Sequence, residues 1–409
     1  MVASSLDIQP LALSAPPGKN AAMVASDHTP LAGRDLGAVL ADLDTCAARP
    51  FPEAGPMPAA VFHAHSFLQR EIETIFALEW ICLGRADDVA APGDFIGRDI
   101  AGVPVLAVRQ ADGAIKVLLN ACAHRRARVT DAATGNAKRL ICPYHGWTYD
   151  CAGHLVAAPF MKSVPSFNLA DHRLVDLHCE LWEGFIYASL SPERPEPVAR
   201  RRAGFHGDVV GRFSMADYVG VIRETMAWDC NWKNLIENFS ESYHVPIAHR
   251  QTFASAKRVL DHYTCSEGED WCSYHWGDTP PADGDDWAGL DLGRLSGEWS
   301  RRVVVACIFP SHLITLTANF LWYISVQPDG VGRFNATWGV SVPQTVLDTM
   351  DGGWLDGLRR FMDVANDEDQ PVCEALYQGT KAPHPPPGRY HPIERNIWDF
   401  TRYLARLTR

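Results

Sequence analysis

The chain has 409 residues, 47% hydrophobic and 21% charged, with a net charge of −12 from 37 Lys plus Arg against 49 Asp plus Glu. That is a globular composition with material for about two to three domains, and it excludes the extended basic face that nucleic acid requires. No apolar run of about 18 residues occurs, so no membrane span is expected.

The first 30 residues lack a basic n-region and an apolar h-region, so no secretory signal is expected. The 11 Cys are scattered and odd in number, which points to reduced thiols and a cytoplasmic location rather than a disulfide scaffold. Residues 1–50 read as a flexible leader: Leu13–Asn20 is rich in breakers, and Leu36–Ala48 offers a short helix. Residues 51–83 read as an N-terminal helical segment expected to pack on a later domain. In it Phe67, Leu68, Ile72, Ile75, Phe76 and Leu78 recur at helical spacing and run into a strand.

From 84 to 190 short β runs alternate with turn residues: Gly93–Gly97, Val103–Arg109, Ile115–Asn120, Trp147–Tyr149 and Trp182–Tyr187. Asp112-Gly113 between two of them marks a hairpin, so this region is expected to be a small all-β module. Pro192–Pro197 forms a boundary. In 191–409, Asn231–His249 reads as helical, and Val303–Ile308, Leu313–Thr317, Phe320–Val326 and Arg333–Val342 read as consecutive antiparallel strands. Gly353–Gly379 reads as a long helix and Ile393–Leu407 as a closing one. The fold class is α+β, with no internal repeat.

Two constellations carry chemistry. Cys122-Ala-His124 is followed, after 17 residues, by Cys142-Pro-Tyr-His145. Two Cys and two His can bind tetrahedral zinc, or a two-iron, two-sulfide cluster with both Cys on one iron and both His on the other. Each loop here offers one of each donor, the order a cluster clamped between two loops needs, whereas zinc fingers usually pair Cys with Cys. Farther on, His244 and His249 lie five residues apart with Pro246 between them, amid Trp228, Trp232, Glu237, Asn238, Glu241 and Tyr243. Two His and one carboxylate form the facial triad of mononuclear non-haem iron. The candidate third donor is Asp369 in Asp367-Glu-Asp-Gln-Pro-Val-Cys-Glu374, a run that otherwise reads as a solvated helix start.

Together and in this order, the two constellations resemble the terminal oxygenase (α) subunit of Rieske non-haem iron oxygenases, over about residues 60–409. The resemblance implies a small all-β Rieske [2Fe-2S] domain followed by a helix-grip-type catalytic domain. It implies that Cys122, His124, Cys142 and His145 hold the cluster and that His244, His249 and Asp369 hold Fe(II). Asp369 enters through the pattern Glu-Asp-x4-Glu-x3-Gln-Gly. Glu241 matches the family's bridging carboxylate, between His145 of one subunit and His244 of the next, with Asn238 in the same site. The implied assembly is a homotrimer, served by a separate reductase with or without a ferredoxin. NAD(P)H is the electron source and O2 the co-substrate. Arg126 departs from the family, which commonly has Gly there.

Glu241 in place of the more frequent Asp resembles the subgroup acting on quaternary ammonium compounds such as choline, glycine betaine, carnitine and stachydrine. Such cations bind on aromatic faces. Trp271, Tyr274 and Trp276, or Trp322 and Tyr323, could supply them, although each also fits a core position. Ser242 departs from the Cys often found in that subgroup. The expected reaction is hydroxylation or N-demethylation of a small quaternary ammonium compound. The alternatives are hydroxylation or O-demethylation of an aromatic acid, a Rieske electron-transfer protein without turnover, or a zinc-binding scaffold.

Overall fold

The computed structural model describes residues 30–252, 263–278, 294–350, 352–382 and 388–409; the breaker-rich run at 13–20 lies outside them. The helix Leu36–Ala47 is capped by Asp35, whose carboxylate accepts from Ala38 N–H at 3.1 Å. Val39, Leu43 and Cys46 form its buried stripe, and it packs against the C-terminal helix Arg395–Leu407. This part of the expected leader is therefore docked. The next segment, His65–Glu71 continued by the wide turn Ile72–Phe76, is tied down by charge. Glu71 accepts from Lys233 Nζ at 2.8 Å, both side chains being fully buried, and from Trp232 Nε1 at 3.3 Å. Removing one partner would strand a buried charge, at a cost of about 3–5 kcal/mol.

The β module has ten strands: β1 (Ile81–Arg85), β2 (Asp94–Ile100), β3 (Val103–Arg109), β4 (Ile115–Leu119), β5 (Thr134–Asn136), β6 (Leu140–Ile141), β7 (Thr148–Tyr149), β8 (Leu155–Ala157), β9 (Asp176–Trp182) and β10 (Phe185–Ser189). Seven form one sheet in the order β1-β10-β9-β4-β3-β2-β5, and β6-β7-β8 form a second. The run Trp182–Tyr187, expected as one strand, is a hairpin instead. Glu183 and Gly184 take positive φ of 50° and 78°, and Trp182 pairs with Phe185. Two left-handed residues make the tight turn that joins twisted strands. A Cβ on Gly184 would lie 2.7 Å from the Arg85 guanidinium. That guanidinium donates to the carbonyls of Glu183, Met215 and Tyr218 and so links the two domains.

The second domain is built on an antiparallel sheet of β11 (Tyr218–Trp228), β12 (Tyr263–Cys265), β13 (Cys272–Asp278), β14 (Arg302–Ile308), β15 (His312–Leu316), β16 (Leu321–Pro328) and β17 (Phe334–Pro343), in the order β11-β17-β16-β15-β14-β13-β12. The architecture is α+β, as the pattern of elements predicts. Sequence reading missed β11 because polar residues interrupt its apolar ones, and its burial alternates irregularly.

Register divides the sheet's two faces. His275, Val305, Thr315, Trp322, Val340 and Ile222 are cross-strand partners in one row, with Tyr263, Gly277 and Val303 in a neighbouring row. Tyr274, Val304, Ala306, Ile314, Leu316, Leu321 and Tyr323 belong to the opposite face. They pack in one cluster with Trp80, Trp182, Phe185 and Tyr187 of the β module. The His275–Trp322 face is covered by the helix Trp232–Phe239 and the long helix Gly352–Gly379.

Candidate metal centres

The two Cys-His loops are built alike. Cys122 N–H donates to Ala127 O and Arg126 N–H to Cys122 O, each at 2.9 Å. In the second loop Cys142 N–H donates to Trp147 O at 2.8 Å and Gly146 N–H to Cys142 O at 3.0 Å. Each loop turns through a left-handed residue, Arg126 at φ 66° and Gly146 at φ 71°. The backbone thus calls for Gly at both places, and Arg126 carries a strain of about 1–2 kcal/mol. Its side chain is exposed, away from the buried thiols.

The donors converge in like pairs. Cys122 and Cys142 are buried free thiols in contact with each other. Burial, reinforced by the neighbouring thiol, raises Cys122 against the pull of hydrogen bonds from Tyr149 and the His124 backbone. Tyr149 Oη lies 3.1 Å from Cys122 Sγ. The Nδ1 atoms of His124 and His145 face each other at 3.2 Å, and His124 stacks on Trp147 with ring centroids 4.8 Å apart. A pair of thiols on one side and a pair of imidazoles on the other suits a two-iron cluster.

The expected helix Asn231–His249 is broken. Asn231 caps its first part, accepting from Lys233 N–H at 3.1 Å, and Trp232–Phe239 is buried throughout. The chain then turns. Glu241 accepts from the backbone N–H groups of Tyr243 and His244, which opens the short helix Val245–Ala248 with Pro246 in its first turn. This turn brings His244 and His249 onto the buried Asp369. His244 Nε2 lies 3.5 Å and His249 Nε2 3.1 Å from Asp369 Oδ1. The three donors gather within 4.8 Å.

Outer groups hold them. Glu241 Oε1 is 2.5 Å from His244 Nδ1, Glu368 Oε2 is 3.2 Å from His249 Nδ1, and Asn238 Nδ2 donates to Asp369 Oδ1 at 3.2 Å. Burial opposes the charged form of His244, but hydrogen bonds to Asp369 and Glu241 outweigh it and push His244 up to about 10. Burial likewise opposes an ionised Asp369, yet the two imidazoles pull it well below the usual carboxylate range. The cluster therefore attracts positive charge, and its two imidazoles and one carboxylate fit a mononuclear Fe(II) ion.

A cavity of about 100 Å³ opens on these donors. Its aromatic lining is Phe239, Tyr263, Phe320, Trp322 and Phe361, with Val303, Val305 and Met362 completing the apolar wall. Among the described lining residues there is no Lys or Arg. Of the expected aromatic candidates, Trp322 alone lines it. Tyr274, Trp276 and Tyr323 pack on the opposite face of the sheet, and Trp271 stacks under Arg201 and Arg406. Alternation along a strand explains the split between Trp322 and Tyr323. Sequence reading passed over Phe239, Tyr263 and Glu368. It also passed over His275, whose Nε2 lies 2.8 Å from the Ser242 hydroxyl. Burial pushes His275 down to about 3, so it stays neutral.

Two family models match the chain. "Rieske [2Fe-2S] domain" matches residues 79–168, and "Ring hydroxylating alpha subunit (catalytic domain)" matches 215–409. The alpha subunit of chlorobenzene dioxygenase from Cupriavidus sp. (strain PS12) is 33% identical over 196 residues, covering 47% of this chain and 43% of that protein. The carnitine monooxygenase oxygenase subunit of Escherichia coli (strain K12) is 30% identical over 199 residues, covering 48% and 53%. The chain spans about half the length of these curated relatives. Among solved structures, the quaternary ammonium Rieske monooxygenase CntA in complex with L-carnitine shares the fold, with a TM-score of 0.76 and 22% identity. That match covers 90% of this chain and 99% of that one. Naphthalene 1,2-dioxygenase from Rhodococcus sp. shares it too, with a TM-score of 0.74 and 22% identity over 90% and 98%. The chain thus carries, in order, a Rieske [2Fe-2S] domain and the catalytic domain of ring-hydroxylating alpha subunits.

Proposed function

We propose that this chain is the terminal oxygenase of a monooxygenase system that hydroxylates or N-demethylates a small quaternary ammonium compound. The observation that carries this reading is the cavity: five aromatic side chains and no Lys or Arg among the described lining residues. A quaternary ammonium group gains about 2 kcal/mol on a desolvated aromatic face. An aromatic acid would instead ask for a cationic anchor.

Cys122, His124, Cys142 and His145 would hold the cluster, and His244, His249 and Asp369 the iron. When bound, the two groups supply stored electrons and oxygen activation with O2 as co-substrate, the electrons coming from NAD(P)H through a separate reductase. The chain's own part is to place and to exclude. Asn238 fixes one oxygen of Asp369, Glu241 fixes His244, and the apolar wall keeps water from the substrate. His124 and His145 are exposed at the tip of the β module, with Tyr144 55% exposed beside them. Tyr243 and Ile247, next to the second centre, are 51% and 67% exposed. This arrangement supports a homotrimer in which Glu241 faces His145 of the partner subunit.

The test is a single turnover of iron-replete, pre-reduced protein with oxygen and a panel of trimethyl- and dimethylammonium compounds. Formaldehyde above the no-substrate control for one member is the expected result. A hydroxylated product without formaldehyde would keep the substrate class and discard demethylation. Neither product from any member would overturn the reading.

A further inference from the structure

Glu368 sits on the long helix one residue before Asp369, yet it faces a different group. Its Oε2 lies 3.2 Å from His249 Nδ1 and accepts from Thr252 Oγ1 at 2.5 Å, while its Oε1 accepts from Gln251 N–H at 2.8 Å. Thr252 Oγ1 also lies 3.3 Å from His249 Nδ1. The carboxylate is 8% exposed. An ionised carboxylate only accepts, so Glu368 holds a hydrogen on His249 Nδ1. With a metal ion between Nε2 and Asp369 Oδ1, which lie 3.1 Å apart, the Nε2 lone pair would face that ion. Glu241 does the same for His244 from within its own turn, three residues back. Glu368 comes from 119 residues away in sequence. It also fastens Gln251 and Thr252, where the chain leaves His249, to the helix that carries Asp369.

We infer that Glu368 is a positioning residue that fixes the tautomer and ring orientation of His249 and thereby sets the metal affinity of the centre; this rests on reading His244, His249 and Asp369 as metal ligands. Outer-shell carboxylates on ligating imidazoles orient the ring and raise its basicity, and their loss typically costs about 10–100-fold in metal affinity. Gln in place of Glu keeps the size but turns one acceptor into a donor, so three donors compete for one oxygen.

The experiment measures Fe(II) and Co(II) binding to full-length protein with an intact cluster but no mononuclear metal. It compares the native protein, Glu368→Gln, Thr252→Val and Glu374→Gln. Glu374 is the control: it lies on the same helix and accepts from Asp229 N–H and Gln370 Nε2. Glu368→Gln is expected to bind both ions about 10–100-fold more weakly and to shift the visible bands of bound Co(II). Thr252→Val should lose less, because the carboxylate remains. Glu374→Gln should match the native protein. The cluster's absorption should not change. Native affinity and native Co(II) bands in Glu368→Gln would overturn the inference. Equal losses in Glu368→Gln and Glu374→Gln would also overturn it, by showing a loosened helix. If the native protein binds neither ion at this site, the metal-centre reading fails first and the inference falls with it.

Discussion

Three adjacent acids on one helix show how position decides a residue's chemistry. The buried residues of Gly352–Gly379 are Leu358, Met362, Ala365, Asp369, Cys373 and Tyr377, a helical stripe spaced by three and four. Asp369 is the one acid on that stripe, whereas Asp367 is exposed. The sequence reading reached Asp369 through the family pattern alone; the buried stripe of the folded helix picks the same residue by a separate route. Glu237 makes the opposite use of burial. Its burial pushes it up to about 8, against the pull of Lys233 and with some help from Glu394. Its folded value thus lies above the usual 4.5, so its stabilising share is complete below about pH 4.5 and is lost as pH rises through about 8. We expect melting temperature to fall over that range in the native protein, and the fall to be smaller in Glu237→Gln. The difference is on the order of a few kcal/mol at the alkaline end. Parallel melting curves for the two proteins from pH 5 to about 9 would refute the assignment.

Elements turn these residues into a site. The strand Leu321–Pro328 carries Trp322 and Tyr323 side by side, and its two-residue period sends them to opposite faces. Trp322 meets the cavity, while Tyr323 joins the core between the domains. The motif segment required a break that its helical pattern hid: Ser240–Tyr243 turns the chain, and the Glu241 carboxylate opens the next short helix. A prediction belongs to the strand. Trp322→Leu should weaken binding of a trimethylammonium substrate by about 10-fold, the loss of roughly 1–2 kcal/mol of cation–π attraction. Binding of the neutral tert-butyl isostere should change little. Equal losses for the two ligands would assign Trp322 to packing alone.

At the scale of the whole molecule, the two candidate centres lie on separate domains that share a core. The β module and the catalytic sheet share a core through Trp182, Phe185, Tyr187 and Tyr323, and buried Arg85 crosses between them. The cluster loops point outward with His124 and His145 exposed, while Glu241 waits beside His244. Glu241→Gln should keep the cluster's visible spectrum and the oligomeric state, yet lower product formation per reduced cluster by about 10–100-fold or more. Native rates of product formation in that variant would overturn both the support of His244 by Glu241 and the proposed link to a partner subunit.

The sequence by itself offered the candidate donors of the Cys-His loops and the His pair, because metal chemistry requires particular residue types at short spacings. Two Cys-His loops and a pair of His beside a Pro are local facts. It also determined the class of fold, through the alternation of β runs and the two C-terminal helices. Tertiary structure alone decided what depends on distant partners. Strand register chose Trp322 over Tyr274, Trp276 and Tyr323, since a face is defined only when neighbouring strands pair. Packing of the long helix brought Asp369 to His244 and His249, and Glu368 to His249 and Thr252. These contacts join segments more than 100 residues apart. No local spacing encodes such a meeting, because it arises from how the apolar stripe of one helix settles on the sheet.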